Sequence, residues 1–538
     1  MTRECWNRRN RQRGAANSLY AIVLGGLAVV LLLAFLLVDG KDRGRRWSAV
    51  AGNTTSPQAS SASTNGELFM YCAAGMRYPM EEIAKQYEQE YGVVVQLQYG
   101  GSNTLLSQLE LSDTGDLYLA GDASYISTAQ DKGLARESIP LAKMKPVIAV
   151  QKENPKQIQS INDLLKADVK VALGNPDAAA VGKKTRKLLT KSGQWEALQT
   201  HVTEYGVFKP TVNEVANDVK LGSVDAGIIW DSTVAQYDEL AAIEVPDLNA
   251  GLASIEISIL ESSKNPTEAL RFARYVGARD KGLPIFANKG FQIVEGDVWE
   301  YAPEIIFFAG SVNRRALEPI LKKFEQREGV SIITNYNGCG ILTAQMRTMR
   351  QDQSSGFPDA YMACDVYYLN TVKDWFQDDV NVSEAKIVLV VKKGNPLHIK
   401  GLNDLLRKDV RLVLGHPDQC TIGVLTNQLL EGAGILDRLK AEKEIPMKPS
   451  SAMLVPDVIT DAVDVTVAYV TDTLGEADKV DVVPIDSPLA KAIQPYSIAR
   501  SSEFKQLTHR LYDEIARSES VFESAGFTWR LDSHAADK

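Results

Sequence analysis

The sequence has little of what most enzymes and nucleic-acid binders need. Its five cysteines, Cys5, Cys72, Cys339, Cys364 and Cys420, are scattered, with no CxxC pair and no Cys/His zinc spacing. That pattern argues against a disulfide-stapled scaffold and against a structural zinc site. Five histidines (His201, His398, His416, His509, His534) form no metal-ligand motif. GxSxG, P-loop and HExxH patterns are missing, so an enzyme would need a nucleophile or an acid–base pair that no motif announces. The formal net charge of −9 lacks the basic footprint of a nucleic-acid binder.

What is present begins with a charge-free apolar run, LYAIVLGGLAVVLLLAFLLV, at residues 19–38. Twenty such residues suffice to cross a ~30 Å hydrocarbon core as a helix. Residues 1–18 are basic (Arg3, Arg8, Arg9, Arg11, Arg13), and Lys41, Arg43, Arg45 and Arg46 come after the run, so the positive-inside rule favours an inward N-terminus only slightly. Ala49-Val50-Ala51 mimics a cleavage site, but KDRGRR separates it from the apolar run, and an uncleaved anchor is expected. No cysteine lies close enough after the run for a lipid anchor. Residues 39–66, rich in Ser, Thr and Ala towards their end, read as a flexible linker to an extracytoplasmic body.

The remainder repeats itself. QKENPKQIQSINDLLKADVKVALGNPD (151–177) matches KKGNPLHIKGLNDLLRKDVRLVLGHPD (392–418) without a gap. The segment from Leu68 matches that from Ile305, AGIIWDSTVA (226–235) aligns with VTVAYVTDTL (465–474), and ANKGF (287–291) with ESAGF (523–527). A period of about 240 residues is too large for a solenoid unit and indicates a duplicated domain, at 67–298 and 302–531. Short β-rich runs alternate with amphipathic helices in each copy, which predicts an α/β fold with a largely parallel sheet. Met76, Met80, Ile83, Ala84 and Tyr87 make the core face of the first helix, and Val312, Ala316, Ile320, Leu321 and Phe324 make its counterpart. A copy of ~230 residues suits two lobes.

Each copy also holds four strand- or turn-to-helix junctions. They are AAG (73–75), GGSN (100–103), NPDAAAVG (175–182) and KPTVNE (209–214) in copy one, and AGS (309–311), NGCG (337–340), HPDQCTIG (416–423) and KPSSAM (448–453) in copy two. A helix N-terminus offers unpaired N–H groups and a favourable dipole, so four converging ones would trap a dianion with neutral donors alone. In order and spacing these junctions resemble the periplasmic molybdate- and tungstate-binding proteins of ABC importers, a branch of the type II periplasmic-binding fold. The resemblance covers nearly all of 67–531, twice.

That resemblance implies two tandem bilobal units of the type II periplasmic-binding kind preceded by one transmembrane helix. It implies a tetrahedral oxyanion held by serine hydroxyls, backbone N–H groups and a tyrosine. The positions implied are Gly75, Ser102, Asn103, Val181, Val212 and Trp230 in copy one, and Ser311, Cys339, Gly340, Ile422, Ser451 and Tyr469 in copy two. Gly75 then lacks the first hydroxyl, Trp230 replaces the tyrosine, and Cys339 puts a weak donor where the second serine belongs. Each residue also has an ordinary reading: Ser311 and Ser451 as helix caps, Trp230 and Tyr469 as packing between lobes. Cys339 and Cys420, with His416 nearby, read either as a soft-metal or redox pair or as buried thiols in tight turns. Glu214 is a carboxylate either on a solvated helix face or turned inward towards the ligand. The function implied is a membrane-anchored carrier of molybdate or tungstate serving an ABC permease, with no cofactor and no nucleic-acid partner. A tethered sensor or scaffold is the alternative, and an enzyme on the same fold the remaining one.

Overall fold

The computed structural model describes residues 66–352 and 355–531. The expected anchor at 19–38, the basic segment before it and nearly all of the linker lie outside the described residues. Among the described residues, no helix is long and apolar enough to cross a membrane.

Copy one is built on two sheets. The first has the order β11-β4-β10-β3-β1-β2, from β1 (Glu67–Ala73), β2 (Val94–Gly100), β3 (Leu117–Ala120), β4 (Ala135–Met144), β10 (Ala253–Leu260) and β11 (Gln292–Ile293). The second has the order β7-β6-β8-β5-β9, from β5 (Pro146–Gln151), β6 (Val171–Gly174), β7 (Val207–Lys209), β8 (Ala226–Trp230) and β9 (Leu240–Ile243). The chain thus leaves the first lobe at Lys145 and returns to it before Ala253. The sheets are mixed rather than largely parallel. Strand β1 runs parallel to β2 and β3, and β6 parallel to β7 and β8, while β4, β5 and β10, the strands leading to and from the other lobe, pair antiparallel. A strand crossing from one sheet into the next reverses its sense relative to the parallel core, which β-rich periodicity alone does not reveal.

Copy two repeats this plan with β12 (Glu304–Gly310), β13 (Ser331–Asn337), β14 (Ala360–Met362), β15 (Phe376–Lys392), β16 (Leu412–Gly415), β17 (Met447–Lys448), β18 (Val465–Tyr469), β19 (Val480–Pro484), β20 (Lys491–Ala499) and β21 (Thr528–Trp529). Here one unbroken strand, β15, pairs with β20 in the first lobe and with β18 and β19 in the second. The two sheets are therefore continuous.

The first helix of each copy forms for the same local reasons. Arg77–Tyr91 and Arg314–Glu328 both stop at a left-handed glycine, Gly92 (φ 71°) and Gly329 (φ 66°), whose N–H closes the last turn. A residue with a side chain would be strained there. The apolar stripes read from the sequence are buried in both helices and the turns before them. Each copy keeps its own core: buried residues of copy two form one cluster, and those of copy one form two others.

Between the copies the contact is polar. Glu328, 1% exposed, accepts from Arg274 Nη1 of copy one at 3.0 Å and from Arg510 Nε and Nη2 at 2.7 and 3.1 Å. Arg327 grips Glu137 with two hydrogen bonds of 2.8 and 2.9 Å, and Asp297 accepts from the Gln506 and Leu507 N–H groups. Removing one partner of such a buried pair leaves the other charge uncompensated, so these contacts fix the placement of the copies.

Candidate functional site

The four copy-one junctions meet at one place. A small cavity of about 20 Å³ lies between the lobes, lined from the first lobe by Ala73–Met76, Gly100–Ser102 and Gly121, and from the second by Ala179–Val181, Thr211, Val212 and Trp230. Not one lining side chain is charged. Of the residues expected from the sequence, Gly75, Ser102, Val181, Val212 and Trp230 all border it.

The donors are set by how each helix begins. The residues preceding the turn Ala74–Met76 and the helices Ser102–Leu109 and Ala180–Lys191 are Ala73, Gly101 and Ala179, and none supplies a side-chain cap. Their first N–H groups, apart from that of Asn103, are left for whatever occupies the cleft. The fourth helix, Val212–Lys220, is capped by Thr211, whose Oγ1 accepts from Glu214 N and donates to Glu214 Oε1 at 2.8 Å. Glu214 is thus held by the capping hydroxyl at the helix start and does not line the cavity. Ser102 is 2% exposed, and its Oγ accepts the Gly121 N–H at 3.0 Å. That bond spends an acceptor lone pair and leaves the hydroxyl proton to donate.

Asn103 acts differently from the expectation. It does not line the cavity; its N–H and Nδ2 donate to Ala178 O (3.0 Å) and Asp177 O (2.8 Å) of the opposite lobe. It clasps the lobes shut, because its side chain points past the cleft to the NPD turn. Gly101 completes the closure: a Cβ there would stand 2.5 Å from Ala178 O and 2.6 Å from Pro210 O.

Copy two brings its expected residues to the corresponding place with other chemistry. Ser311 Oγ meets Ser450 Oγ across the lobes at 3.0 Å. The strand registers pair Ser311 with Ala74, as the gapless match from Leu68 and Ile305 does, and not with Gly75, the position the resemblance implied; Gly310 and Ala73 close equivalent strands. It is Ala74 that stands where copy two has the hydroxyl, although Gly75 also borders the cavity. Cys339 is fully buried, and Ile422, Ser451 and Tyr469 are 0%, 5% and 1% exposed. Gly340 packs against the Asp418 carbonyl, where a Cβ would collide. The Tyr469 hydroxyl has no hydrogen-bond partner.

Two features of copy two went unread in the sequence. Asp472 is half-buried beside Ser451, its enclosed Oδ2 lacks a partner, and loss of solvent around the carboxyl pushes it up to about 7. The repeat alignment carried the signal, since Asp472 stands opposite Thr233. Cys339 contacts Cys364 rather than the anticipated Cys420 and His416. The His416 ring instead accepts the Asp418 N–H, and Cys420 Sγ faces Lys448 O at 3.5 Å. Among the described residues no cluster of three metal-ligating side chains occurs.

The sequence matches the family described as bacterial extracellular solute-binding protein twice, over residues 68–292 and 305–528. The chain belongs to that family. The double match also establishes the tandem duplication. A binding protein of Haemophilus influenzae is 28% identical over 225 residues, 42% of this solute-binding protein and 90% of the relative. The molybdate-binding protein ModA of Mycobacterium tuberculosis is 26% identical over 249 residues, 45% and 92% of the two chains. Among solved structures, the Azotobacter vinelandii periplasmic molybdate-binding protein aligns with a TM-score of 0.36 and 16% identity, covering 42% of this chain and 98% of its own.

Proposed function

We propose that this solute-binding protein takes up a tetrahedral dianion, molybdate or tungstate, in the copy-one cleft and delivers it to an ABC permease. The observation that carries the reading is the uncharged cavity at which Ser102 and three side-chain-uncapped helix starts converge. A helix N-terminus carries roughly half a positive charge, so several together offset a dianion without an ion pair. Neutral donors hold such an anion by hydrogen bonds that opening of the lobes breaks one by one. A cationic side chain would keep its charge against the anion throughout. The residues at 19–38 are proposed as a membrane anchor, holding residues 39–538 on the extracytoplasmic side near the permease.

Calorimetry of the full chain in detergent against molybdate, tungstate, sulfate and phosphate tests the proposal. Binding of molybdate or tungstate is expected, accompanied by a change in Trp230 fluorescence that Trp230→Phe removes. Heat released only with phosphate or sulfate, or with none of the four, would refute it.

A further inference from the structure

Cys339 and Cys364 lie where copy one has a serine and a glycine. In copy one the Gly121 N–H donates to Ser102 Oγ at 3.0 Å; in copy two the Cys364 N–H donates to Cys339 Sγ at 3.1 Å. The adjoining aspartates fix the equivalence, because Asp122 and Asp365 each cap the next helix. Both cysteines are thus side chains added to one shared backbone arrangement, and their sulfurs are 2.7 Å apart. A third difference makes room for them. Ala73 of copy one is replaced by Gly310, and a Cβ on Gly310 would collide with both sulfurs. Three separate positions, read together, accommodate one pair of thiols.

We propose that Cys339 and Cys364 are a reversible dithiol–disulfide couple built into the first lobe of the copy-two cleft, with a small-molecule disulfide as its oxidant. The Cys339 thiolate attacks one sulfur of the oxidant and expels a thiolate, giving a mixed disulfide. Cys364 loses its proton and attacks Cys339 Sγ, expelling the second thiolate. The oxidant gains two electrons and leaves as two thiols, and the protein loses two hydrogens to form one S–S bond. Burial disfavours ionisation of either sulfur. At Cys339, however, the Cys364 N–H at 3.1 Å and the Cys364 thiol beside it favour the thiolate and hold the thiol below its usual value, whereas burial raises Cys364. Cys339 is therefore the attacking sulfur and Cys364 the resolving one. This inference does not depend on which solute the cleft binds.

The test is peptide mapping of the full chain in detergent. Reduced protein is exposed to glutathione disulfide, unfolded, alkylated with iodoacetamide and digested without reductant. The expected product is one linked peptide pair joining Cys339 to Cys364, lighter by two hydrogens than the separate peptides and cleaved again by dithiothreitol. The linkage should vanish in Cys339→Ser and Cys364→Gly, the residues copy one has there. The wild-type map stands even if a variant fails to fold. Alkylation of both cysteines after oxidant treatment, or a Cys339–Cys420 linkage in place of the expected one, would overturn the proposal.

Discussion

Copy one and copy two share a backbone plan and differ in what they place inside the cleft. Copy one surrounds its cavity with glycine, alanine, valine, one methionine, one serine, one threonine and one tryptophan. Copy two keeps the tyrosine and adds serine hydroxyls, but also places two thiols and a carboxyl around the same junctions. A duplicated fold preserves helix starts because they are backbone geometry; side chains projecting between them are free to diverge. The first copy keeps an uncharged cavity, while the second acquires a carboxyl and two thiols, the groups on which the pH and redox proposals rest.

The largest expected effect comes from Asp472. Its folded-state carboxyl sits near 7 because of burial, against 3.8 in the unfolded chain. A raised folded value means the stabilisation is complete below about 4 and is lost as pH rises through about 7. At ~1.4 kcal/mol per unit, the loss reaches about 4 kcal/mol at most. Denaturant unfolding measured at pH 5.5 and pH 8 should show copy two weakening at the higher pH. Asp472→Thr, the copy-one choice, should flatten that dependence. An unchanged pH profile in Asp472→Thr would show that Asp472 does not set this difference between the copies.

Next in size is the serine–cysteine exchange. Ser102→Ala removes a hydrogen bond to a charged ligand, worth ~1.5–3 kcal/mol, and should weaken copy-one binding of molybdate roughly tenfold or more. Cys339→Ala lies outside the proposed copy-one cleft and should leave that binding unchanged. Calorimetry on the full chain resolves this, and equal losses in the two variants would mean that Ser102 is not distinguished from Cys339 as a ligand donor.

Much of this molecule was legible beforehand, for identifiable reasons. The repeat was legible because 151–177 and 392–418 align without a gap, and the core faces of the first helices because burial enforces helical spacing. The convergence of four junctions was legible from their order. What escaped was whatever depends on contacts across many residues or on a single-residue register. Cys364 is brought to Cys339 by β14 returning beside β12, 25 residues on, with no motif to mark it. Ala74 rather than Gly75 is the partner of Ser311, which the gapless match from Leu68 and Ile305 already held; comparing the ends of AAG and AGS put the pairing one residue off. Asn103 has the right type for a ligand donor, yet the opposite lobe claims it.

The smallest expected effect concerns the hinge, and it also rests on one residue. In copy two, Ile387 N–H donates to Ala490 O at 2.9 Å, so β15 passes from one lobe to the other without a break. In copy one the same register holds Pro146, opposite Trp230 as Ile387 is opposite Tyr469. Proline has no N–H to donate, and the crossing is divided into β4 and β5 at Lys145. What ties the break is Asp231, which accepts the Lys145 N–H at 3.0 Å and donates its own N–H to Lys145 O at 2.9 Å. A single ladder bond is worth ~0.5–1.5 kcal/mol net, so copy one should open more readily, by a factor of about ten at most. Hydrogen exchange should therefore be faster at Lys145 and Val147 than at Lys386 and Val388. Pro146→Ile should slow it severalfold, and Ile387→Pro should speed it in copy two. Equal exchange at the two hinges in the unmodified protein would assign their mobility to the return crossings, Val245–Ala253 and Pro484–Lys491, instead of to this residue.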